Sequence, residues 1–142
     1  MIRKFDHVTI VVRDLDAARR FFGLLGFQEI KAVVISGKVM EDYMGVSGIE
    51  ADHVTLAVED PHSEVQLLHY RHPDMIDDPN IHRLNKIGFN HVCFSVDDLE
   101  AEIARLTAAG VKLRNTMMDF HSRKLVFLEG PEGITVELAQ WE

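Results

Sequence analysis

Four residues stand where they could share one cation. Histidine occurs at position 7 in Phe5-Asp6-His7-Val8 and again at 91 in Phe89-Asn90-His91-Val92, an offset of 84. Gln66 lies in Glu64-Val65-Gln66-Leu67 and Glu137 in Thr135-Val136-Glu137-Leu138, an offset of 71. Two imidazoles, one amide oxygen and one carboxylate suit Zn, Co, Ni, Mn or Fe(II), and coordination positions would remain for a substrate. Taken singly, each has a plainer reading. A histidine on a strand is usually a core or surface residue, and a Gln or Glu near a strand end is usually solvated. The repeat sets these four apart, because chance has no reason to respect its symmetry.

The elements that must position them repeat as well. The 84-residue offset also maps Val12 onto Val96, Asp14-Leu15 onto Asp98-Leu99, Ala17 onto Ala101 and Gly26 onto Gly110. Residues 5–12 alternate with a period of two and predict a strand. Asp14 then offers an N-cap, and Leu15, Ala18, Phe22 and Leu25 form a helical stripe stopped by Gly26. A strand over 89–96 and a helix capped by Asp98, carrying Leu99, Ile103 and Leu106 and stopped by Gly110, repeat the pattern. Further strands are expected at 27–35, 52–58 and 63–70, and at 111–115, about 123–129 and 134–141. The last two are joined by the turn Gly130-Pro131-Glu132-Gly133. The fall in offset places an insertion within 28–52, which could form a short helix over one mouth of the sheet.

The expected fold class is therefore α+β, with paired βαβββ modules forming a curved mixed sheet around a metal-binding cleft. The modules occupy 1–70 and 88–142 of a single domain, and 71–87 links them. In the strands carrying His7, Gln66, His91 and Glu137, the flanking positions are apolar and should pack under the helices. The four polar side chains then point the other way.

Composition bounds the remaining choices. The 142 residues suit one compact domain, and their 46% hydrophobic and 27% charged content is that of an ordinary globular protein. A net charge of −8 argues against nucleic acid as a partner, which needs a basic surface. The longest apolar runs are about five residues against the roughly 18 that a membrane span needs. No signal-like stretch follows Arg3 and Lys4, and the single Cys93 suits a reducing compartment. The expected setting is the cytoplasm.

Phe5-Asp6-His7-Val8-Thr9-Ile10, its echo 84 residues on, and Gly130-Pro131-Glu132-Gly133-Ile134-Thr135-Val136-Glu137-Leu138 resemble the vicinal oxygen chelate superfamily. That group includes glyoxalase I, methylmalonyl-CoA epimerase, extradiol dioxygenases and the bleomycin- and fosfomycin-resistance proteins. The resemblance covers essentially the whole chain. It implies one divalent ion (Zn, Co, Ni, Mn or Fe) held by His7, Gln66, His91 and Glu137. Bacterial glyoxalase I typically has Glu at the second of these positions and methylmalonyl-CoA epimerase has Gln, so Gln66 tilts the match toward the epimerase. The epimerase is similar in using a Glu on its third strand as a base. The best-matching position here is His53, which the 71-residue offset relates to Lys124, and both are expected to face the cleft.

The chemistry implied is that of a metal-dependent isomerase, epimerase or lyase acting through a metal-stabilised enolate on a small dioxygen-bearing substrate. Glu137 and His53 are the candidate bases, and the insertion within 28–52 is the candidate lid. The alternatives are an Fe(II) extradiol-type dioxygenase built on His7, His91 and Glu137, and a non-catalytic protein that sequesters a small molecule or drug. The substrate could be a CoA or glutathione conjugate. Its carrier could be received by a loose basic cluster of Arg71, His82, Arg83 and Lys86, although such a cluster is more often a solvated linker. Cys93 is expected to be a small buried filler. His62, His69, His72, His82 and His121 are assigned no ligand role. Unpaired sheet edges and the family resemblance together predict a homodimer.

Overall fold

The computed structural model describes residues 1–142, which fold as two compact units, Met1–Asp77 and Asp78–Glu142. The division falls inside the expected linker. The first unit runs β1 (His7–Val11), α1 (Leu15–Leu24), β2 (Gln28–Ser36), α2 (Lys38–Met44), β3 (Glu50–Val58) and β4 (Ser63–His72). The second runs β5 (Val92–Ser95), α3 (Leu99–Ala108), β6 (Met118–Phe120), β7 (Arg123–Glu129), a single 3-10 turn (Pro131–Gly133) and β8 (Thr135–Trp141). Each unit has its own four-stranded mixed sheet, ordered β1-β4-β3-β2 and β5-β8-β7-β6. The opening and closing strands pair in parallel in both, and the remaining pairs are antiparallel. No helix is long and apolar enough to cross a membrane.

The helices start and stop for the same local reasons in both units. Asp14 accepts from the Ala17 backbone N–H at 2.9 Å, and Asp98 accepts from that of Ala101 at 3.0 Å. Each cap satisfies one of the donors that a helix start leaves orphaned, typically worth about 1 kcal/mol. Gly26 and Gly110 follow the last turns with φ of 98° and 95°, a conformation that a Cβ disfavours. Helix α1 buries Ala18, Phe21 and Phe22, so its inward stripe includes a phenylalanine beyond those the spacing singled out. Helix α3 buries Leu99 and Leu106.

Strand alternation then divides each sheet into two faces. In the first unit Ile10, Val65, Leu67, Val54 and Leu56 are buried on the face with α1. Fully burying an aliphatic side chain of this kind favours folding by about 1.5–3 kcal/mol. In the second unit Val136, Leu138, Val126 and Leu128 do the same. The opposite face of the first sheet is partly roofed, because Met40 and Met44 of α2 pack on a buried cluster of Ile49, Ala51 and Leu68. The insertion is thus a helix, as expected, and it covers one end of the face that carries Gln66.

One expected strand is absent. Residues 111–115 do not form a continuous ladder: they meet β7 at the isolated bridge Leu113–Leu128, flanked by the bonds from the Arg114 N–H to the Phe127 carbonyl and from the Glu129 N–H to the Lys112 carbonyl, at 2.8 and 2.9 Å. The ladder breaks because Asn115 Oδ1 accepts from the Phe127 N–H at 2.8 Å, taking a donor that a strand neighbour's carbonyl would otherwise receive. The Arg114 guanidinium meanwhile turns to the carbonyls of Gly133 and Ile134, at 2.8 and 3.2 Å. The outer strand resumes as the three-residue β6. The turn between β7 and β8 is tight enough that a Cβ on Gly130 would lie 2.8 Å from Ile134 Cγ1.

Candidate functional site

In the first unit, β1 and β4 bring His7 opposite Glu64 and Thr9 opposite Gln66, all on the face away from α1. His7 Nδ1 lies 2.6 Å from Asp6 Oδ1. This hydrogen bond from the imidazole holds the Asp6 carboxyl below the usual carboxylate range. Ligand atoms of Asp6, His7 and Glu64 all lie within 4.8 Å of one another. Gln66 is half-buried, and its Oε1 lies 3.0 Å from His53 Nε2. The Gln66 amide donates to Glu64 Oε2 at 3.5 Å. The candidate base and the candidate amide ligand are therefore neighbours, and the free ring nitrogen of His53 is Nδ1.

The second unit builds the same pair differently. His91, just before β5, and Glu137 on β8 approach to 3.9 Å between Nε2 and Oε1. Two atoms each about 2.1 Å from a shared ion are separated by roughly 3–4 Å, so this spacing fits two ligands of one cation. Asn90 Oδ1 lies 2.7 Å from His91 Nδ1. Phe127, opposite Glu137 in the sheet, packs edge-on to the His91 ring at 5.2 Å. Each unit thus presents one imidazole and one oxygen donor. Each imidazole is tied at Nδ1 to the residue before it, leaving Nε2 as the nitrogen that each ring could offer to a cation. The donor chemistry fits a divalent cation.

Asp6 and Asn90, which contact the two imidazoles, were not singled out from the sequence, although the Phe-Asp-His and Phe-Asn-His echo contains them. Glu64 was not singled out either, because its place beside His7 comes from pairing across strands rather than from the motif.

Lys124 corrects the expectation for its position. Thr55 opposes Gln66 across the first hairpin, whereas Phe127 opposes Glu137 across the second, so the chain between opposed partners is one residue shorter there. The counterpart of His53 is therefore Leu125. A slip of one residue reverses the face, so Lys124 lies opposite Gln140 on the α3 side and pairs with Glu100 at 3.7 Å. Gln140 in turn accepts from the Leu99 N–H at 2.8 Å. Cys93 is exposed rather than buried, since it opens onto the Glu137 face. Partial desolvation of the sulfur and the adjacent Glu137 carboxylate push its thiol up to about 12, which suppresses the nucleophilic thiolate.

Two of the other histidines and two of the cations in the expected basic cluster make local contacts. His62 in the β3–β4 turn bridges Glu59 and Glu64 at 2.8 and 3.0 Å. His69 Nδ1 meets the Val12 carbonyl at 3.0 Å. Arg71 forks onto Asp52 at 2.7 and 3.2 Å, and Lys86 pairs with Asp78 at 2.9 Å. With these two cations already neutralised, the basic cluster reads as solvated linker and strand-end charge.

Comparison with known proteins gives one consistent assignment. The model of the Glyoxalase/Bleomycin resistance protein/Dioxygenase superfamily matches residues 4–138. Lactoylglutathione lyase of Schizosaccharomyces pombe is 25% identical over 141 residues, covering 96% of this chain and 45% of that protein. The chain thus spans less than half of that relative's length. Lactoylglutathione lyase of Pseudomonas putida is 25% identical over 149 residues, covering 96% of this chain and 84% of that protein. The crystal structure of a glyoxalase family protein from Bacillus cereus superposes with a TM-score of 0.90 at 27% identity, covering 99% of this chain and 95% of the other.

Proposed function

Because the chain belongs to the Glyoxalase/Bleomycin resistance protein/Dioxygenase superfamily, we propose that it is a divalent-metal enzyme of isomerase, epimerase or lyase type. In this reading it moves the proton on the carbon beside a carbonyl in a small substrate with two neighbouring oxygens. The observation that carries the reading is the placement of the donors: His7 and Gln66 share the face of the first sheet turned away from its helix, and His91 lies 3.9 Å from Glu137 in the second unit. These four residues would hold the ion. When bound, a divalent ion there supplies Lewis-acid polarisation of a substrate carbonyl, which acidifies the adjacent C–H.

The remaining work falls to the chain's own groups. The Glu137 carboxylate, or His53 through its free Nδ1, takes the proton as the C–H bond breaks. Return of that proton to the opposite face gives epimerisation, and return to the neighbouring carbon gives isomerisation. Met40 and Met44 of α2 place apolar surface over one end of the Gln66 face, which helps to keep water from a carbanionic species. Similarity to two lactoylglutathione lyases supports a glutathione-type adduct as substrate, whereas Gln66 supports a CoA thioester. Both are thiol conjugates. A homodimer belongs to the same proposal, and a concentration-independent monomer of 16.2 kDa in sedimentation would count against it.

The test combines metal analysis of the purified protein with proton exchange in deuterated solvent. The substrates, in order, are methylmalonyl-CoA, the methylglyoxal–glutathione hemithioacetal, and a panel of small 2-keto and 2-hydroxy acids. Exchange on at least one of them, lost with a chelator and restored by the ion, is expected. His53→Ala divides the two candidate bases: exchange lost with metal retained assigns the proton to His53, and unchanged exchange assigns it to Glu137. Metal-replete protein that exchanges no proton on any of these substrates overturns the reading. Iron with oxygen uptake on catechols replaces it with ring cleavage.

A further inference from the structure

We propose that Asp6 and Asn90 are positioning residues that lock His7 and His91 in the tautomer with hydrogen on Nδ1, so that each ring offers Nε2 as its lone-pair nitrogen. The inference rests on the proposed metal role for its purpose, but its geometry stands by itself. A neutral imidazole has one donor and one acceptor nitrogen, and its partners decide which is which. Asn90 settles the question in the second unit. Its Nδ2 donates to the Leu84 carbonyl at 2.6 Å, so the amide presents Oδ1 to His91 Nδ1 at 2.7 Å. The reverse amide orientation would set two acceptors against each other at Leu84. Oδ1 can only accept, which requires the hydrogen on Nδ1 and leaves Nε2 facing Glu137 at 3.9 Å.

In the first unit the carboxylate of Asp6 has no hydrogen to give. At 2.6 Å from His7 Nδ1 it imposes the same tautomer without needing an anchor such as Leu84. Both residues carry an oxygen at the same branch of a side chain of the same length. What the two units share is the acceptor, not the charge. Free imidazole in a histidine side chain favours hydrogen on Nε2, so an unassisted ring would offer the other nitrogen.

Long-range proton–nitrogen spectra of ¹⁵N-histidine in the metal-free protein, recorded above the ring's ionisation, read the tautomer directly. Both rings should show hydrogen on Nδ1. Asp6→Leu should release His7 alone and Asn90→Leu should release His91 alone, each weakening zinc binding by about 10–100-fold. Asn90→Asp gives up the bond to Leu84 but keeps the acceptor, so it should retain the Nδ1 hydrogen and bind zinc more tightly than Asn90→Leu. A general loosening of the fold would not be rescued selectively in this way. Wild-type rings carrying hydrogen on Nε2, or tautomers unchanged in both leucine variants, would overturn the inference whatever the metal analysis gives. Locked rings in a protein that binds no metal would instead overturn the proposed function and leave the tautomer assignment standing.

Discussion

The two units carry equivalent donors on unlike frames. Their inner strands agree: β1 with β4 and β5 with β8 pair in parallel, and each pair sets an imidazole near an oxygen donor. Their outer strands do not. Strand β2 runs nine residues along β3, whereas its counterpart is broken at Asn115 and survives as the three-residue β6. The first unit also holds α2, with no equivalent in the second, and its Gln66 is engaged by His53, where Leu125 occupies the matching position. A repeat can drift at its edges because an outer strand only completes a sheet. The inner pair must hold side chains in fixed register, so it keeps the pattern. The donors differ in charge as well. Glu137 brings a carboxylate, while the neutral Gln66 already has the Glu64 carboxylate beside it at 3.5 Å.

The largest expected effect comes from removing one imidazole in either unit. His7→Ala and His91→Ala should each weaken metal binding by more than about 100-fold, beyond the range usual for a supporting residue. Each should also abolish the stabilisation that added metal confers on the melting temperature. Full occupancy in one variant alone would show that the two units are not equivalent. Leu67→Ala and Leu138→Ala test equivalence in the cores, since both side chains are fully buried at matching positions. Each should cost about 2–5 kcal/mol in urea unfolding. A cost in one unit without the other would separate their contributions to stability.

Gln66→Glu makes the first donor pair chemically like the second. Metal affinity should rise by about tenfold, roughly 1.4 kcal/mol. The metal-free protein should melt lower, because a second carboxylate then faces Glu64. Parallel metal titrations and thermal scans check both signs. The smallest effect belongs to the hairpin that carries a histidine in one unit only. Glu64, and then Glu59, raise the His62 pKa above its ordinary 6.5. A raised folded-state pKa gives stability that is fully present below 6.5 and is lost as pH climbs through the folded value. The urea midpoint of the wild type should therefore fall slightly relative to His62→Gln over that interval. An unchanged difference across it would mean that the bridge contributes nothing.

Much of this was legible in the residues. Asp14 and Asp98 are caps, Gly26 and Gly110 are stops, and the insertion is a helix, because caps, stops and amphipathic stripes act within a turn or two of chain. The face of each donor followed from period-two alternation along its own strand. The misreadings have two causes. Lys124 was placed by carrying one offset across a hairpin whose opposed partners are one residue closer in sequence, and alternation turns such a slip into the opposite face. Residues 111–115 look like a strand by composition, but the Asn115 side chain competes for a backbone donor on β7.

The sequence by itself determined the repeat, the α+β class, and the equivalence within the repeat of His7 to His91 and of Gln66 to Glu137, since these depend on residue type and local periodicity. Only the tertiary structure decided that His53 meets Gln66, that Lys124 pairs with Glu100, that Cys93 lies exposed beside Glu137, and that Asp6 and Asn90 hold the two imidazoles. The first three depend on which strand residues stand opposite one another or beside a helix. That register is set by turn length and cross-strand pairing, which no single segment contains. Asp6 and Asn90 are adjacent to their histidines in sequence, yet their role rests on side-chain rotamers and, for Asn90, on the Leu84 carbonyl six residues away, which the folded chain alone brings within reach.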